Sequence, residues 1–360
     1  MDKILRYTLR DEDLEGTAGG LVNLVLKNCV QVTGHEISAA KFTPDGITCD
    51  GIQVRVTDRM RPGQTLQVVL PEETQEDKLI PAQGPVRVLY EDEDLIAVNK
   101  AAGEVVHPGP GHYTDTVANY VTGYLRAQQG ENAFSGGLRV SGRLDKETSG
   151  ILIFAKNRAA AARLQRQRRD GLFVRTYLAV CEGLFEEKEG DIDRPLEKVP
   201  GVLMKMRVAE SGGLPALTHY EVAAQKGNAS LLRVTIRTGR THQIRVHMAS
   251  IGHPLVGDTL YGSEIPKQNQ MRETASSQTE NLQTGGVSHV KSMPEQTEDH
   301  AGPRALLHAY QVCLLQPFTK DPIHISTPPP EDFAEFWTEA SDSQENVSFC
   351  LDREEIFSTY

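Results

Sequence analysis

One short stretch constrains this 360-residue chain more than any other: Gly-Arg-Leu-Asp-Lys-Glu-Thr-Ser-Gly at residues 142–150, followed at once by the apolar run 151–155. The apolar run predicts a buried strand, and the glycines that bound the loop let the backbone turn tightly around one carboxylate, Asp145. Arg143 and Lys146 flank that carboxylate. A solvated turn with a surface ion pair fits this pattern too, because exposed pairs contribute little to stability.

Composition sets the broad class of the protein. Hydrophobic residues make up 39% of the chain, which allows a sizeable core in two domains, and no run approaches eighteen apolar residues. The first residues lack the apolar stretch of a secretory signal, and the five cysteines are scattered without a Cys-x-x-Cys pair. We therefore expect a soluble, cytoplasmic protein with reduced thiols, no zinc framework and no membrane partner.

The distribution of charge matters more than its sum of -11. Residues 96–262 contain 22 Lys and Arg against 16 Asp and Glu, so this central block has a net charge of +6. The acidic residues lie in the flanks, including residues 91–94 and the C-terminal tail. A basic centre between acidic flanks is compatible with RNA binding.

The chain divides into a small and a large domain. Residues 1–72 contain apolar residues at helical spacing, an Asp-Gly hairpin signal and a further strand, and predict a small α+β unit. The large domain contains an insertion that is too polar to fold. The remaining predicted segments are a linker at 73–85, the large domain at 86–337, its disordered insertion at 263–303 and an acidic tail at 338–360.

Patterning within the large domain predicts alternating strands and helices. Asn157 is placed to cap a helix that Gly171 ends, and the arginines of this helix form a basic face that is either solvated or in contact with phosphate. Those arginines are Arg158, Arg163, Arg166, Arg168 and Arg169. The predicted strands are 86–90, 95–100, 151–155, 174–180, 216–222, 231–236 and 311–315, and the predicted helices are 116–127, 158–169 and 333–337.

A second motif, Thr-Gly-Arg-Thr-His-Gln-Ile-Arg-Val-His, occupies residues 238–247, and Leu-His-Ala follows at 307–309. Together with the stretch around Asp145 and Arg175-Thr176-Tyr177, these motifs resemble the RluA-type pseudouridine synthase family over roughly residues 86–337. The resemblance implies an α+β fold, in which a central mixed, mainly antiparallel sheet flanked by helices follows a small N-terminal α+β domain of RNA-binding type. The chain departs from the family pattern at Ala101, where proline is usual, and at Gly142, where many relatives have histidine.

The resemblance implies isomerisation of uridine to pseudouridine in structured RNA, without a cofactor or metal. Asp145 would attack ribose C1′ or take the C2′ proton, and Arg245 would keep that carboxylate charged. Tyr177 would stack near the uracil and help to remove the C5 proton. The base must be flipped out, and Arg143 would fill the vacated space or hold the backbone. The other residues implied to bind substrate are Leu144, Thr148, Arg240, His242, Gln243 and His308.

Other interpretations stay open from the sequence. A metal site at His242, His247, His253 and His308 is disfavoured, because a spacing of five places the first two on different faces of a helix. A non-catalytic RNA-binding paralogue would be expected to lose Asp145 or Arg245, and a glycoside or nucleoside hydrolase would need a second carboxylate, for which only Glu147 is near. We expect a monomer that acts on ribosomal RNA if the N-terminal domain binds RNA, and on transfer RNA otherwise.

Overall fold

The computed structural model describes residues 3–70, 79–129, 137–202, 204–262 and 304–333. The predicted insertion at 263–303, the acidic tail, residues 73–78 of the linker and the helix predicted at 333–337 beyond Phe333 lie outside these residues. None of the described helices is both long and apolar enough to span a lipid bilayer.

The N-terminal domain is a four-stranded antiparallel sheet with the order β1-β4-β2-β3, packed on short helices. Asp50 and Gly51 both have positive φ, 49° and 81°, and join the hairpin that the Asp-Gly pair predicts. The helix predicted at 21–30 forms as a short α-helix that continues into a π-helix. The elements are β1 Lys3–Thr8, α1 Asp13–Gly16, α2 Val22–Leu24, the π-helix Val25–Cys29, α3 Gly34–Lys41, β2 Ile47–Cys49, β3 Ile52–Gln53 and β4 Thr65–Leu70.

The large domain is built around a ten-stranded sheet with the main order β10-β13-β14-β9-β15-β8-β6-β5. Strand β7 pairs with β8, β16 pairs with β15, and β11 and β12 form a separate hairpin. The strands are β5 Val88–Glu91, β6 Leu95–Lys100, β7 Arg139–Val140, β8 Ser149–Ala155, β9 Val174–Glu182, β10 Glu189–Asp193, β11 Leu196–Lys198, β12 Met206–Val208, β13 Leu217–Lys226, β14 Ala229–Ile236, β15 Leu307–Leu315 and β16 Pro322–Ser326. The helices are α4 Val117–Gln129, α5 Arg158–Arg169, α6 Gln243–Ser250 and the 3₁₀ turn Glu331–Phe333.

The predicted fold class is confirmed. Every named strand pair in this sheet is antiparallel except β8 with β15, so the sheet is mixed and mainly antiparallel. Strand β8, the apolar run after the Asp145 loop, is buried along its whole length. Gly150 allows β15 to approach this strand, because a Cβ atom on Gly150 would lie 2.3 Å from the carbonyl oxygen of Ala309.

Charged and aromatic side chains join the two domains. Lys3 of β1 forms an ion pair with buried Asp94, which also accepts hydrogen bonds from Asn157 and Gln316, both 2.9 Å. Arg163 of α5 pairs with Glu36 of α3 at 2.9 Å. The ring of Phe318 lies 3.6 Å from the Lys3 ammonium and 4.5 Å from the Arg163 guanidinium carbon. Helix α3 thus contributes an acidic residue to the contact with the large domain.

Candidate active site

A cleft of about 1370 Å³ opens on the large domain and collects the predicted functional residues. Four segments, at residues 105–112, 142–148, 198–202 and 239–245, form most of its wall. Nine of the ten predicted site residues line it: Arg143, Leu144, Asp145, Thr148, Tyr177, Arg240, His242, Gln243 and Arg245. The two sequence motifs, about a hundred residues apart, therefore meet at one site.

The loop that carries Asp145 is clamped through its backbone. The buried ammonium of Lys100 donates hydrogen bonds to the carbonyl oxygens of Ala101, Glu104 and Lys146, at 2.7 to 2.9 Å. The N–H of Gly103 donates to the same Lys146 carbonyl. Burial lowers the pKa of Lys100 to about 8, although nearby carboxylates oppose this. The ammonium of Lys100 therefore holds the backbone of the Asp145 loop in place.

At the other end of the loop, Arg304 donates to the carbonyl oxygen of Glu147 at 3.0 Å and forms an ion pair with Asp332. Within the loop, the N–H of Thr148 donates to the Asp145 carbonyl at 3.1 Å. The side chain of Asp145 is half-buried and has no ion-pair partner among the described residues. The backbone is fixed while the carboxylate stays available.

The expected ion pair between Asp145 and Arg245 is not formed. Arg245 instead donates through Nε and Nη2 to the two carboxylate oxygens of Asp258, both at 2.8 Å. Asp258 is fully buried, and its Oδ1 also accepts from the N–H groups of Leu260 and Tyr261. A bidentate pair with these extra bonds is more stable than a bond to a half-exposed carboxylate in the same cleft.

Asp145 acts on Arg245 through space. Burial opposes the charged form, yet hydrogen bonding to Asp258 and the charges of Asp258 and Asp145 together raise the pKa of Arg245. Arg245 also lies over the ring of Tyr261, 5.2 Å from its centroid. The hydroxyl of Tyr261 lies 2.8 Å from Nδ1 of His242 and accepts from the N–H of Met206. Asp145 therefore faces an arginine whose position is already fixed.

Tyr177 forms part of the cleft wall and is almost fully buried. Burial raises the pKa of its phenol, and the charge of Asp145 raises it further, while Arg175 opposes the shift. The phenol is therefore protonated at neutral pH and is a donor rather than a base before substrate enters. Both roles assigned to Tyr177, stacking near the uracil and helping to remove the C5 proton, stay predictions.

Gln243 and Arg240 line the cleft but are engaged with the protein. Gln243 is buried, accepts from Thr238 Oγ1 and the Arg240 N–H, and donates to Thr218 Oγ1 and the Leu217 carbonyl. Arg240 Nε donates to the carbonyl of Pro215 at 2.9 Å. The amide of Gln243 thus shapes the loop before α6, and the expected substrate contact by this amide is not available.

His308 does not line the cleft, contrary to the expectation. It is 1% exposed, and its Nε2 donates to the carbonyl of Thr327 at 3.1 Å. Nδ1 must then be the acceptor, and it receives the hydroxyl of Ser149 at 2.9 Å. Burial lowers the pKa of His308 to about 4. His308 is a neutral core histidine that ties β15 to β8 directly behind the Asp145 loop.

The sequence predicts that the arginines of α5 form one basic face, and this prediction is wrong. The helix itself is confirmed, and Asn157 caps it by accepting from the N–H of Ala160 at 2.8 Å. Arg163 is buried against the N-terminal domain, and Arg166 donates to the Lys27 carbonyl of that domain. Of the five arginines, Arg168 lines the cleft.

Several supporting residues were missed at the sequence level. Asp258 and Tyr261 lie shortly after the second motif at 238–247, but their pairing with Arg245 and His242 depends on tertiary structure. Lys100 is the last residue of the strand predicted at 95–100. Among the described residues no group of three or more His, Cys, Asp or Glu side chains is arranged to hold a metal ion.

Comparisons with known proteins identify the family of this chain. The pattern of the RNA pseudouridylate synthase family matches residues 94–250. The chain is 36% identical over 279 residues, 76% of this chain and 74% of the relative, to an uncharacterized RNA pseudouridine synthase from Synechocystis. It is 33% identical over 289 residues, 80% of this chain and 75% of the relative, to ribosomal large subunit pseudouridine synthase D from Nitrosomonas europaea. A solved human protein, RNA pseudouridylate synthase domain containing 4, is 23% identical with a TM-score of 0.49, over 71% of this chain and 93% of that one.

Proposed function

The chain belongs to the RluA-type family of RNA pseudouridine synthases, and we propose that it converts uridine to pseudouridine in ribosomal RNA through Asp145, on a nucleotide flipped out of the RNA. The observation that carries this proposal is the half-buried carboxylate of Asp145, which no described residue pairs with, in a basic cleft and on a loop whose backbone is clamped at both ends. Ribosomal RNA is favoured over transfer RNA because several relatives are named for the large ribosomal subunit.

Isomerisation requires three steps: the N-glycosidic bond at C1′ breaks, the uracil turns, and a bond forms from C5. Asp145 acts on the sugar either as the nucleophile at C1′ or as the base that takes the C2′ proton. The Arg245–Asp258 pair carries no net charge, so Asp145 remains the only net negative charge of this trio. Nη1 of Arg245 forms no hydrogen bond among the described residues and is free to stabilise Asp145 or a developing charge.

Tyr177 and Arg143 have different roles: Tyr177 contacts the uracil, and Arg143 replaces the flipped nucleotide in the RNA. The protonated, buried phenol of Tyr177 offers a flat surface and a donor to the uracil. Arg143 is exposed at the mouth of the cleft, so it can take the place of the extruded nucleotide at little conformational penalty to the protein. Unstacking a nucleotide requires on the order of a few kcal/mol, which contacts in the cleft must offset.

The experiment is Asp145→Asn, which keeps the shape of the side chain and removes its charge. Pseudouridine formed in an unmodified ribosomal RNA transcript should fall by roughly 10²- to 10⁴-fold, as expected for loss of a catalytic acid–base or nucleophilic group. The melting temperature should match that of the wild type, because Asp145 has no ion pair to lose. Normal turnover in this variant would remove Asp145 from the mechanism.

Two further measurements separate the remaining alternatives. Release of free uracil by the wild type would indicate a hydrolase, since Glu147 also lines the cleft and could serve as a second carboxylate. Mapping pseudouridines in total RNA, with and without the gene, identifies the substrate. Loss of a site in transfer RNA rather than in ribosomal RNA would overturn the favoured substrate but not the reaction.

A further inference from the structure

Two arginines in the wall of the cleft lie together without a carboxylate. Arg168 comes from the last turn of α5, Arg175 comes from the start of β9, and both line the cleft that contains Asp145. Arg175 is only 7% exposed. No carboxylate in the described part of the chain forms an ion pair with either guanidinium. Buried charges in proteins are normally paired, so this arrangement calls for an anion that the described residues do not supply.

Two glycines provide the space for these side chains. A Cβ atom on Gly142 would lie 2.7 Å from Arg175 Nη1. A Cβ atom on Gly239 would lie 2.7 Å from Arg168 Nη2 and 3.3 Å from Arg175 Nη2. Because both Nη2 atoms lie close to one point above Gly239, the two groups are within about 6 Å of each other, where like charges interact strongly. Gly142 is the position at which the chain departs from the family histidine, and here Arg175 fills that space.

The electrostatics of the pair call for an anion. Burial, and then the neighbouring charge of Arg175, lower the pKa of Arg168. An arginine nevertheless stays protonated at any physiological pH, so the site holds two full positive charges. Arg175 also lies 5.9 Å from the ring centroid of Tyr177. An anion bound here would therefore lie next to the place proposed for the uracil.

We propose that Arg168 and Arg175 bind one backbone phosphate of the substrate RNA, next to the nucleotide whose ribose reaches Asp145. Guanidinium groups match the geometry of phosphate oxygens, and two of them can bind the same phosphate from adjacent directions. Gly142 lies three residues before Asp145, so the phosphate and the reacting sugar would be held by one loop and its neighbours. This assignment rests on the proposed function.

The test uses the full chain and an unmodified large-subunit ribosomal RNA transcript. Arg175→Gln and Arg168→Gln are compared with Arg169→Gln, a matched control from the same helix whose exposed side chain already pairs with Asp170. The two cleft variants should raise Kd about tenfold. Each should also reduce the slope of log K against log salt concentration by about one. The control should change neither quantity.

A second variant leaves both charges in place. Gly239→Ala adds only a methyl group, which should displace both guanidinium groups and raise Kd by several fold while the melting temperature shows an intact fold. Wild-type affinity and salt dependence in Arg168→Gln and Arg175→Gln, or wild-type affinity in Gly239→Ala, would overturn the phosphate site. A wild-type protein that binds this RNA through the two arginines but forms no pseudouridine would instead overturn the proposed function.

Discussion

Charged side chains on the face of the cleft and in the layer beneath it differ in whether they are paired. On the face, Asp145, Arg168 and Arg175 have no ion-pair partner among the described residues. Beneath it, Asp258 and the ammonium of Lys100 are buried and fully bonded. The difference indicates that this protein leaves unpaired the charges that we propose to contact RNA and stabilises their positions with charges that are paired.

The sharpest test of this contrast is Asp258→Asn. The variant leaves the buried guanidinium of Arg245 with an uncompensated charge, so the free energy of unfolding should fall by about 3–5 kcal/mol. Chemical denaturation measures the change, with Asp145→Asn as the matched control on the cleft face. Equal stability of the two variants would remove the distinction between the two layers.

Low pH should reduce the free energy of unfolding, because it favours protonation of His308, which is buried beneath the cleft. The folded-state pKa of His308 is about 4, below the ordinary value of 6.5, so the unfolded chain binds more protons between these values. The stabilising contribution is fully present above about pH 6.5 and is lost as pH falls towards 4, which amounts to about 3 kcal/mol. Stability measured against pH should show a shallower acid decline in His308→Gln. A decline as steep as that of the wild type would assign the acid sensitivity to other groups.

Lys100→Met tests the clamp on the Asp145 loop. The carbonyl oxygens of Ala101 and Glu104 lose the Lys100 ammonium as a donor, and that of Lys146 keeps only the Gly103 N–H, which should lower stability by roughly 1–3 kcal/mol. It should also reduce kcat, because the Lys146 carbonyl is adjacent to Asp145 in the chain. Lys146→Met is the control, since this exposed residue lines the cleft without supporting the backbone through its side chain. Steady-state kinetics with an unchanged kcat in Lys100→Met would show that the loop keeps its position without the clamp.

The smallest effect on stability is expected for Arg143→Gln. Its side chain is exposed, so the free energy of unfolding should stay within about 0.5 kcal/mol of the wild type. The rate of a single turnover on structured RNA should nevertheless fall, and should recover on a single-stranded RNA whose uridine is already unstacked. An equal loss of rate on both substrates would separate Arg143 from base flipping.

Much of the fold could be predicted because its central strands are continuous apolar runs. Strands β6 and β8 and helix α5 lie where the pattern placed them, and Asn157 caps as expected. Strands β1 and β16 were missed although burial alternates along each of them, because each is only half-buried and lacks a continuous apolar run. The pattern within one segment does not reveal which distant strand will pair with it.

The residues that line the cleft could be predicted better than the hydrogen bonds and ion pairs that they form. The family resemblance identified nine residues that line the cleft, but it could not show that Arg245 pairs with Asp258, or that the ring of His308 is hydrogen-bonded behind the cleft. Arg163 was predicted to be on a basic face and instead pairs with Glu36, 127 positions away. Such partners are set by tertiary packing, which local composition does not contain.

The position of β15 has a consequence for synthesis. This strand lies in the middle of the sheet, between β8 and β9, although it is the second-last strand of the described chain. Before residues 307–315 have been synthesised, the strands of the sheet form two separate groups. One group contains β8, which follows the Asp145 loop, and the other contains β9, which carries Tyr177. The nascent protein therefore lacks the strand that joins Asp145 to Tyr177 until β15 is made. We expect activity to appear only after this late segment has been synthesised.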